Sequence, residues 1–349
     1  MTENRHRNSL HKLDKLTDLL RQGTELLIFM QDYPDPDAIA AAAALRLFVR
    51  TTSRIPCTLA HGGAIGRAEN RALVKYANLN LRRVEDIDPG KFSLLAMVDT
   101  QPLTGNNSLP SEFWPQIVID HHPIRHSTRG VMFTDIRRRY GATSTILYEY
   151  LRAVGATINV NLATTLVYGI RSDTQDLGRE ATKPDIDAYL SLYPIANKRM
   201  LSRIEHATVP RQYFQMISTA LTQARVYGHG VISGLGELDY PDVIGEVADL
   251  LLRDEKSDTV LCYGIQGGRV LLSMRTSNSD VNAGKTIRSI VGKDGTGGGH
   301  TALAGGQIRL KTGTKAEIAE IEKRIRQRFR RAVGADSHAR GAALVRKPR

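Results

Sequence analysis

The chain has few of the residues that stabilise a protein covalently or anchor it in a membrane. Only two of its 349 residues are cysteines, Cys57 and Cys262, which is too few for a disulfide framework or a cysteine-based zinc cluster. Residues 1–21 lack the apolar core of a signal peptide, and the longest apolar stretch, residues 38–48, is too short to cross a bilayer. We therefore expect a cytoplasmic protein that acts without a membrane.

Aromatic residues are also scarce, at 6% of the chain, and they form no cluster on which successive bases of a long single strand would stack. Basic residues are abundant but unevenly distributed. The net charge is +12, and residues 311–349 alone hold 12 Lys and Arg against 4 Asp and Glu. A solvated basic tail explains this surplus, and an auxiliary contact with a nucleic-acid phosphate backbone is the alternative.

The length of the chain predicts two domains, because one hydrophobic core rarely grows beyond roughly 300 residues. In the first half, short apolar runs alternate with helical patterns, which is typical of a mostly parallel sheet flanked by helices. The second half predicts a smaller α/β domain with a hairpin turn at residues 266–269. The expected limits are residues 1–197 for the N-terminal domain, 198–226 for linker helices, 227–332 for the C-terminal domain and 333–349 for a basic tail without fixed structure.

Four apolar runs are each followed by acids or histidines. Asp35 and Asp37 follow residues 26–30, Asp99 follows residues 94–98, Asp120, His121 and His122 end the run that begins at residue 117, and Asp173 follows residues 166–170. The carboxyl ends of parallel strands meet at one sheet edge, where α/β proteins bind ligands. Carboxylates crowded there would raise one another's pKa, and paired divalent cations relieve the repulsion. Oxygen and imidazole ligands with open positions suit Mn²⁺ or Mg²⁺.

These acids form four ordered motifs, and two further motifs occur near residues 273–277 and 297–300. The set resembles the DHH phosphoesterase superfamily, which includes the RecJ-like enzymes, and the second half resembles its DHH-associated domain (DHHA1), over roughly residues 20–312. The two-domain layout is most similar to the stand-alone oligoribonuclease (nano-RNase) and pAp-phosphatase branch. The resemblance implies two Mn²⁺ ions, with Mg²⁺ as the alternative, an active-site cleft between the domains, and a homodimer such as is common among relatives.

The resemblance also implies a role for each motif residue. Asp35 would bind the first metal and Asp37 the second, Asp99 would bridge them, and His121 and Asp173 would complete the second site. His122 would touch the phosphate or the network of the attacking water, and Asp120 would orient the histidines. In the C-terminal domain, Arg275, Gly297, Gly298, Gly299 and His300 would hold a substrate phosphate. Thr143 and Ser144, which precede a helix, are interpreted as an N-cap.

One position departs from the family pattern. Relatives place histidine four residues before the first motif aspartate, and this chain has Gln31 there, a neutral and weaker ligand for the first metal. The implied function is hydrolysis of short oligoribonucleotides, of 3′-phosphoadenosine 5′-phosphate (pAp), or of both, by two-metal activation of water. Three alternatives remain open: hydrolysis of cyclic or linear dinucleotides, hydrolysis of inorganic pyrophosphate, or binding of nucleotides or RNA by a module whose metal site has degraded.

Overall fold

The computed structural model describes residues 2–178, 181–299, 301–336 and 341–345, with side chains from residue 12 onward. The chain divides into two compact units, Met1–Thr208 and Val209–Arg349. Within the described residues, no helix combines the length and the apolar character that a membrane span requires.

The N-terminal unit is built on a six-stranded sheet in which every neighbouring pair of strands is parallel, as expected. The strands are β1 (Leu26–Phe29), β2 (Cys57–His61), β3 (Leu81–Arg83), β4 (Leu94–Val98), β5 (Ile117–Asp120) and β6 (Phe133–Ile136). The helices are α1 (Thr2–Arg21), α2 (Pro36–Thr52), α3 (Ala68–Tyr76), α4 (Thr143–Ala153), α5 (Val160–Asp173), α6 (Lys183–Leu192) and α7 (Lys198–Glu205).

The strand order is β3-β2-β1-β4-β5-β6, so the direction of winding reverses between β1 and β4. Connections leave the sheet on opposite sides at such a point, and a crevice forms beyond the carboxyl ends of the two strands. Alternate residues of β1 face two apolar cores: Leu26 and Ile28 pack with the helices, and Leu27 and Phe29 pack on the other face. Burial on both faces explains why β1 is a continuous apolar run.

Helices α2 and α5 approach closely enough to exclude a side chain between them. A Cβ at Gly169 would lie 2.8 Å from Ala40 Cβ and 3.0 Å from the Pro36 carbonyl oxygen, distances that real Cβ atoms hardly reach. Glycine in α5 and the alanines of α2 therefore place the end of α5 beside the beginning of α2. Residues 166–170, one of the four apolar runs, are helical, and Asp173 reaches the sheet edge from the last turn of a helix.

The C-terminal unit contains a seven-stranded sheet among its described residues, in the order β11-β12-β10-β9-β8-β7-β13, with only β8 and β9 parallel. The strands are β7 (Arg225–Tyr227), β8 (Gly230–Glu237), β9 (Thr259–Gln266), β10 (Arg269–Thr276), β11 (Gly295–Gly299), β12 (Leu303–Arg309) and β13 (Ala342–Ala343). The helices are α8 (Arg211–Gln223), α9 (Val243–Leu251), α10 (Ala283–Val291) and α11 (Lys315–Ala332). Gly267 and Gly268 both have positive φ, which the predicted hairpin turn between β9 and β10 requires.

Two segments differ from the predicted limits. Residues 198–226 do not form a separate linker: α7 buries Met200 and Ile204 in the N-terminal core, whereas α8 buries Met216 and Ala220 in the C-terminal unit. The expectation of a tail without fixed structure is wrong at residues 342–343, which form β13 and pair with β7. The backbone hydrogen bonds of an open sheet edge explain this pairing. Residues 337–340 and 346–349 of that tail lie outside the described residues.

Candidate metal centre

The acids and histidines of the N-terminal unit meet at the carboxyl end of the sheet. Asp35 and Asp37 stand at the beginning of α2, Asp99 follows β4, His121 follows β5 and Asp173 ends α5. Single ligand atoms of Asp37, His121 and Asp173 lie within 4.8 Å of one another, and the same holds for Asp99, His121 and His122. His121 belongs to both groups, so the two sets form one centre.

Asp37 is fully buried, and its carboxylate caps the beginning of a second helix. The amides of Thr143 and Ser144, the first two residues of α4, donate to the two Asp37 oxygens at 2.7 and 2.9 Å. The predicted N-cap role of these residues is therefore wrong, since their backbone is capped by Asp37. Burial, together with the charge of Asp173, raises the pKa of Asp37 to about 7.

Asp99 occupies a strained position with one unsatisfied oxygen. Its φ of +58° is unusual for a residue other than glycine, and its amide is held by a hydrogen bond to the Ile119 carbonyl at 3.0 Å. Oδ1 accepts a hydrogen bond from the Thr143 hydroxyl at 2.8 Å, whereas buried Oδ2 has no partner among the described residues. Burial, followed by the charge of Asp37, raises the pKa of Asp99 well above its usual range.

The second unsatisfied atom is Nε2 of His121. The Nδ1 of this ring lies 3.1 Å from the Tyr140 carbonyl, which can only accept, so Nδ1 carries a proton and Nε2 faces the acids. Nε2 makes no hydrogen bond within the described chain, although it lies 3.1 Å from Asp173 Oδ2 and 3.6 Å from Asp99 Oδ1. Burial alone would lower the pKa of His121, but the acids around it, Asp173 first and then Asp37 and Asp120, together outweigh burial and raise the pKa to about 10.

Asp120 orients His122 but not His121. Its Oδ1 accepts hydrogen bonds from Nδ1 and the amide of His122 at 2.8 and 3.1 Å, and its Oδ2 accepts one from Gln101 Nε2 at 2.6 Å. Burial would raise the pKa of Asp120, but the hydrogen bonds and charge of His122 and the hydrogen bond from Gln101 together outweigh burial and lower the pKa to about 2. The expectation that Asp120 orients both histidines is therefore wrong for His121, which the Tyr140 carbonyl holds.

Asp35 and Gln31 form a pair at the margin of this centre. Asp35 is the N-cap of α2: its Oδ1 accepts from the Ala38 amide at 2.9 Å, and its Oδ2 accepts from Gln31 Nε2 at 2.8 Å. Burial and the charge of Asp173 raise the pKa of Asp35. Asp35 belongs to neither of the groups of three His, Cys, Asp or Glu ligand atoms found among the described residues.

The residues present fit a divalent cation. Two buried atoms that bind cations, Asp99 Oδ2 and His121 Nε2, lack hydrogen-bond partners in the described structure, although buried polar atoms in proteins are nearly always paired. Like charges around them raise the pKa of the acids, and a cation would reverse that effect. The donor set of carboxylate oxygens and one imidazole suits Mn²⁺ or Mg²⁺.

The structure places Arg275 and the three glycines that are predicted to bind phosphate on strands β10 and β11, which are separated by β12. Arg275 on β10 pairs with Asp249 of α9 at 2.6 Å and donates to Ser273 Oγ at 2.9 Å. Gly297, Gly298 and Gly299 belong to β11, at the edge of the sheet. A Cβ at Gly298 would meet nothing within 4 Å, so the fold itself does not require glycine there. His300 lies outside the described residues.

Sequence reasoning missed three groups that position the centre: the Thr143 hydroxyl, the Gln101 side chain and the Tyr140 carbonyl. The Thr143 hydroxyl lies in a Thr-Ser pair before a helix, and such a pair also fits a helix-capping role. Gln101 stands two residues after Asp99, and its Oε1 also accepts from the Thr128 hydroxyl and the Arg125 amide, both at 2.7 Å. A carbonyl has no sequence signal, because every residue carries one.

Two family models match the chain. One, described as the DHH family, N-terminal domain, matches residues 25–170, and the other, described as the DHHA1 domain, matches residues 230–331. An uncharacterized protein of Methanocaldococcus jannaschii is 33% identical over 302 residues, which are 86% of this chain and 60% of that protein.

A probable manganese-dependent inorganic pyrophosphatase of Enterococcus faecalis is 27% identical over 174 residues, which are 50% of this chain and 56% of that protein. The chain thus spans less than two thirds of the length of either relative. A crystal structure of an exopolyphosphatase-related protein from Bacteroides fragilis has a TM-score of 0.71 and 15% identity, covering 93% of this chain and 98% of that one. At this identity the likeness shows a common fold.

Proposed function

The chain belongs to the DHH family, and on that premise we propose that its N-terminal unit is a phosphoesterase that depends on a divalent cation. One observation carries the proposal: two groups of three ligand atoms share His121, one with Asp37 and Asp173 and the other with Asp99 and His122, and they contain two buried atoms, Asp99 Oδ2 and His121 Nε2, that have no hydrogen-bond partner among the described residues. The name of the pyrophosphatase from Enterococcus faecalis, which states manganese dependence, supports Mn²⁺ as the cation.

A bound Mn²⁺ or Mg²⁺ ion would supply Lewis acidity to a phosphate oxygen and a water that is nucleophilic near neutral pH. The chain supplies the ligands: oxygens from Asp37, Asp99 and Asp173, and Nε2 of His121. The amides of α4 and the Thr143 hydroxyl hold two of the acids in place before the substrate arrives, so little reorganisation is needed.

His122 is proposed to contact the substrate phosphate. Its Nδ1 is engaged by Asp120 at 2.8 Å, and Gln101 holds Asp120 from the other side at 2.6 Å. This arrangement fixes the plane of the ring. A fixed ring binds a phosphate oxygen without first losing rotational freedom.

We further propose that the substrate is a short oligoribonucleotide or pAp, as the resemblance implies. The C-terminal unit would hold its phosphate through Arg275, Gly297, Gly298, Gly299 and His300. The open space beside Gly298 supports this role, because a residue without a side chain lets an anion reach the backbone amides. The scarcity of clustered aromatic residues supports a short substrate.

The test is hydrolysis of parallel substrates in Mn²⁺: an RNA of about three nucleotides, pAp, a linear and a cyclic dinucleotide, and inorganic pyrophosphate. Asp99→Asn should lower turnover of the preferred substrate by at least about a hundredfold, because it removes a buried carboxylate that cannot be replaced from solvent. Asp32→Asn is the matched control, since the Asp32 carboxylate binds the Ser108 amide and hydroxyl and takes no part in the ligand groups. Equal activity of native and Asp99→Asn protein contradicts the proposal.

The panel also separates the alternatives. Preference for pyrophosphate or for a dinucleotide would replace the proposed substrate and leave the metal chemistry standing. Binding of pAp without hydrolysis of any of the five substrates would favour a nucleotide-binding module. The hydrogen bond from Gln31 to Asp35 is the observation that favours this last alternative, because one acid of the expected metal pair is already engaged.

A further inference from the structure

The side-chain amide of Gln31 directs its nitrogen, which cannot bind a cation, towards Asp35. Its Nε2 donates to Asp35 Oδ2 at 2.8 Å, and its carbonyl oxygen accepts from Asn106 Nδ2 at 3.1 Å. The atom of Gln31 that binds a cation is therefore directed at Asn106, and the atom that repels a cation faces the acid.

Asn106 fixes this orientation. Its Oδ1 accepts a hydrogen bond from the Thr100 hydroxyl at 2.8 Å, which leaves its Nδ2 to face Gln31. Its backbone carbonyl accepts from the Asp32 amide at 2.8 Å, so the loop is tied to the residue next to Gln31. Rotating the Gln31 amide by half a turn would oppose two donors, Nε2 of Gln31 and Nδ2 of Asn106, and would break the hydrogen bonds of Gln31 to Asp35 and Asn106.

Asp35 is engaged on both oxygens, one by the Ala38 amide and one by Gln31. Asp37, Asp99, His121 and Asp173 differ from Asp35, because they include the two buried atoms without a hydrogen-bond partner in the described structure and because each belongs to a group of three ligand atoms that contains His121. Among the described residues, no group of three potential ligands includes Asp35.

We propose that the native chain binds one divalent cation tightly, at Asp37, Asp99, His121 and Asp173, and that no second ion binds at Asp35, because Gln31, held by Asn106, supplies a hydrogen-bond donor there in place of a ligand. This inference rests on the proposed function. It replaces the expected first metal ion by a hydrogen bond between Gln31 and Asp35. Asp35 then serves as the N-cap of α2 and as the acceptor for Gln31.

The experiment counts bound Mn²⁺ on the full chain after chelator treatment, by titration calorimetry and by electron paramagnetic resonance, with phosphate release measured in parallel. We expect one tight ion in the native protein and in Gln31→Ala, which removes the donor without supplying a ligand. Gln31→His should bind two ions and show the spectrum of a spin-coupled pair.

Asp35→Asn should keep the single ion with affinity within about threefold, because asparagine is also a good N-cap and preserves α2. Asp37→Asn should weaken the ion at least about tenfold.

Two tight ions in the native chain, or loss of the single ion in Asp35→Asn, would overturn the inference. A Gln31→His protein that still binds one ion, with an unchanged melting temperature, would overturn it as well. Two ions with active hydrolysis would leave the proposed phosphoesterase intact. One ion without hydrolysis would support the inference and count against the proposed function.

Discussion

The acids of the metal centre predict that the cation-free protein loses stability as the pH rises. Burial and the charge of Asp173 raise the folded-state pKa of Asp37 from 3.8 to about 7, so the folded chain binds a proton that the unfolded chain releases between these values. The contribution of Asp37 to the free energy of unfolding therefore falls with rising pH in that window and levels off above it. From about pH 5.5 to about pH 7.5, Asp37 alone should lower it by about 2 kcal/mol.

The perturbation is Asp37→Asn, which cannot titrate. Removing one acceptor for the α4 amides costs about 1 kcal/mol at every pH. The informative quantity is therefore the difference between the two pH values, which should be about 2 kcal/mol smaller in the variant. The assay is urea unfolding in the presence of a chelator, with Asp187→Asn, an exposed acid of α6, as a control that should behave like the native chain.

A native chain that is equally stable at both pH values, or an Asp37→Asn variant with the native pH dependence, would refute the reasoning. Saturating Mn²⁺ should reverse the trend, because the cation binds the ionised acids and its affinity rises with pH.

Three further results are expected. Gly298→Ala should keep the melting temperature within about 2 °C because the added Cβ meets nothing, yet weaken substrate binding in titrations. Gly299→Ala, at φ +146° and with a Cβ 2.4 Å from the Leu303 carbonyl, should lower the free energy of unfolding by about 2 kcal/mol or more; equal melting of the two variants would contradict this. Asp135→Asn should cost about 2 kcal/mol in urea unfolding, because it removes the charged oxygen that accepts from Nε and Nη2 of the largely buried Arg137 and leaves Glu149 as the acidic partner of that cation; a loss below about 1 kcal/mol would argue against it. Mn²⁺ at about a hundred times its Kd should add about 2.7 kcal/mol to the native chain; the same gain in Asp99→Asn would show that the ion binds elsewhere.

The parallel sheet and its functional edge were predictable because they depend on local composition. Continuous apolar runs at β1, β4 and β5 indicate strands buried on both faces, and the polar residues after them must emerge at the carboxyl edge. Asp37 and Asp99 each lie in a group of ligand atoms with His121, at the edge where the sequence predicts polar residues. The ordered motifs identified the family, which the matching domain models confirm.

Other features depended on contacts between distant segments. The run before Asp173 is apolar in the same way as a buried strand, and only its packing through Gly169 against α2 shows why it is a helix. The strand pairing of residues 342–343 was missed because two alanines acquire strand structure only from the free edge of β7. The prediction that Asp120 orients both histidines was wrong for His121, because the acceptor for His121 Nδ1 is the backbone carbonyl of Tyr140.

The sequence by itself determined the fold class, the family and the set of acids and histidines that share one edge, because hydrophobic period and motif order are properties of the chain. The contacts between distant segments show which atoms of that set have hydrogen bonds. Among the described residues, Asp99 Oδ2 and His121 Nε2 have no hydrogen-bond partner, whereas Asp35 accepts a hydrogen bond from Gln31. This is so because a hydrogen bond is directional. The residue type fixes which donors and acceptors are available, whereas the folded structure fixes which donor faces which acceptor.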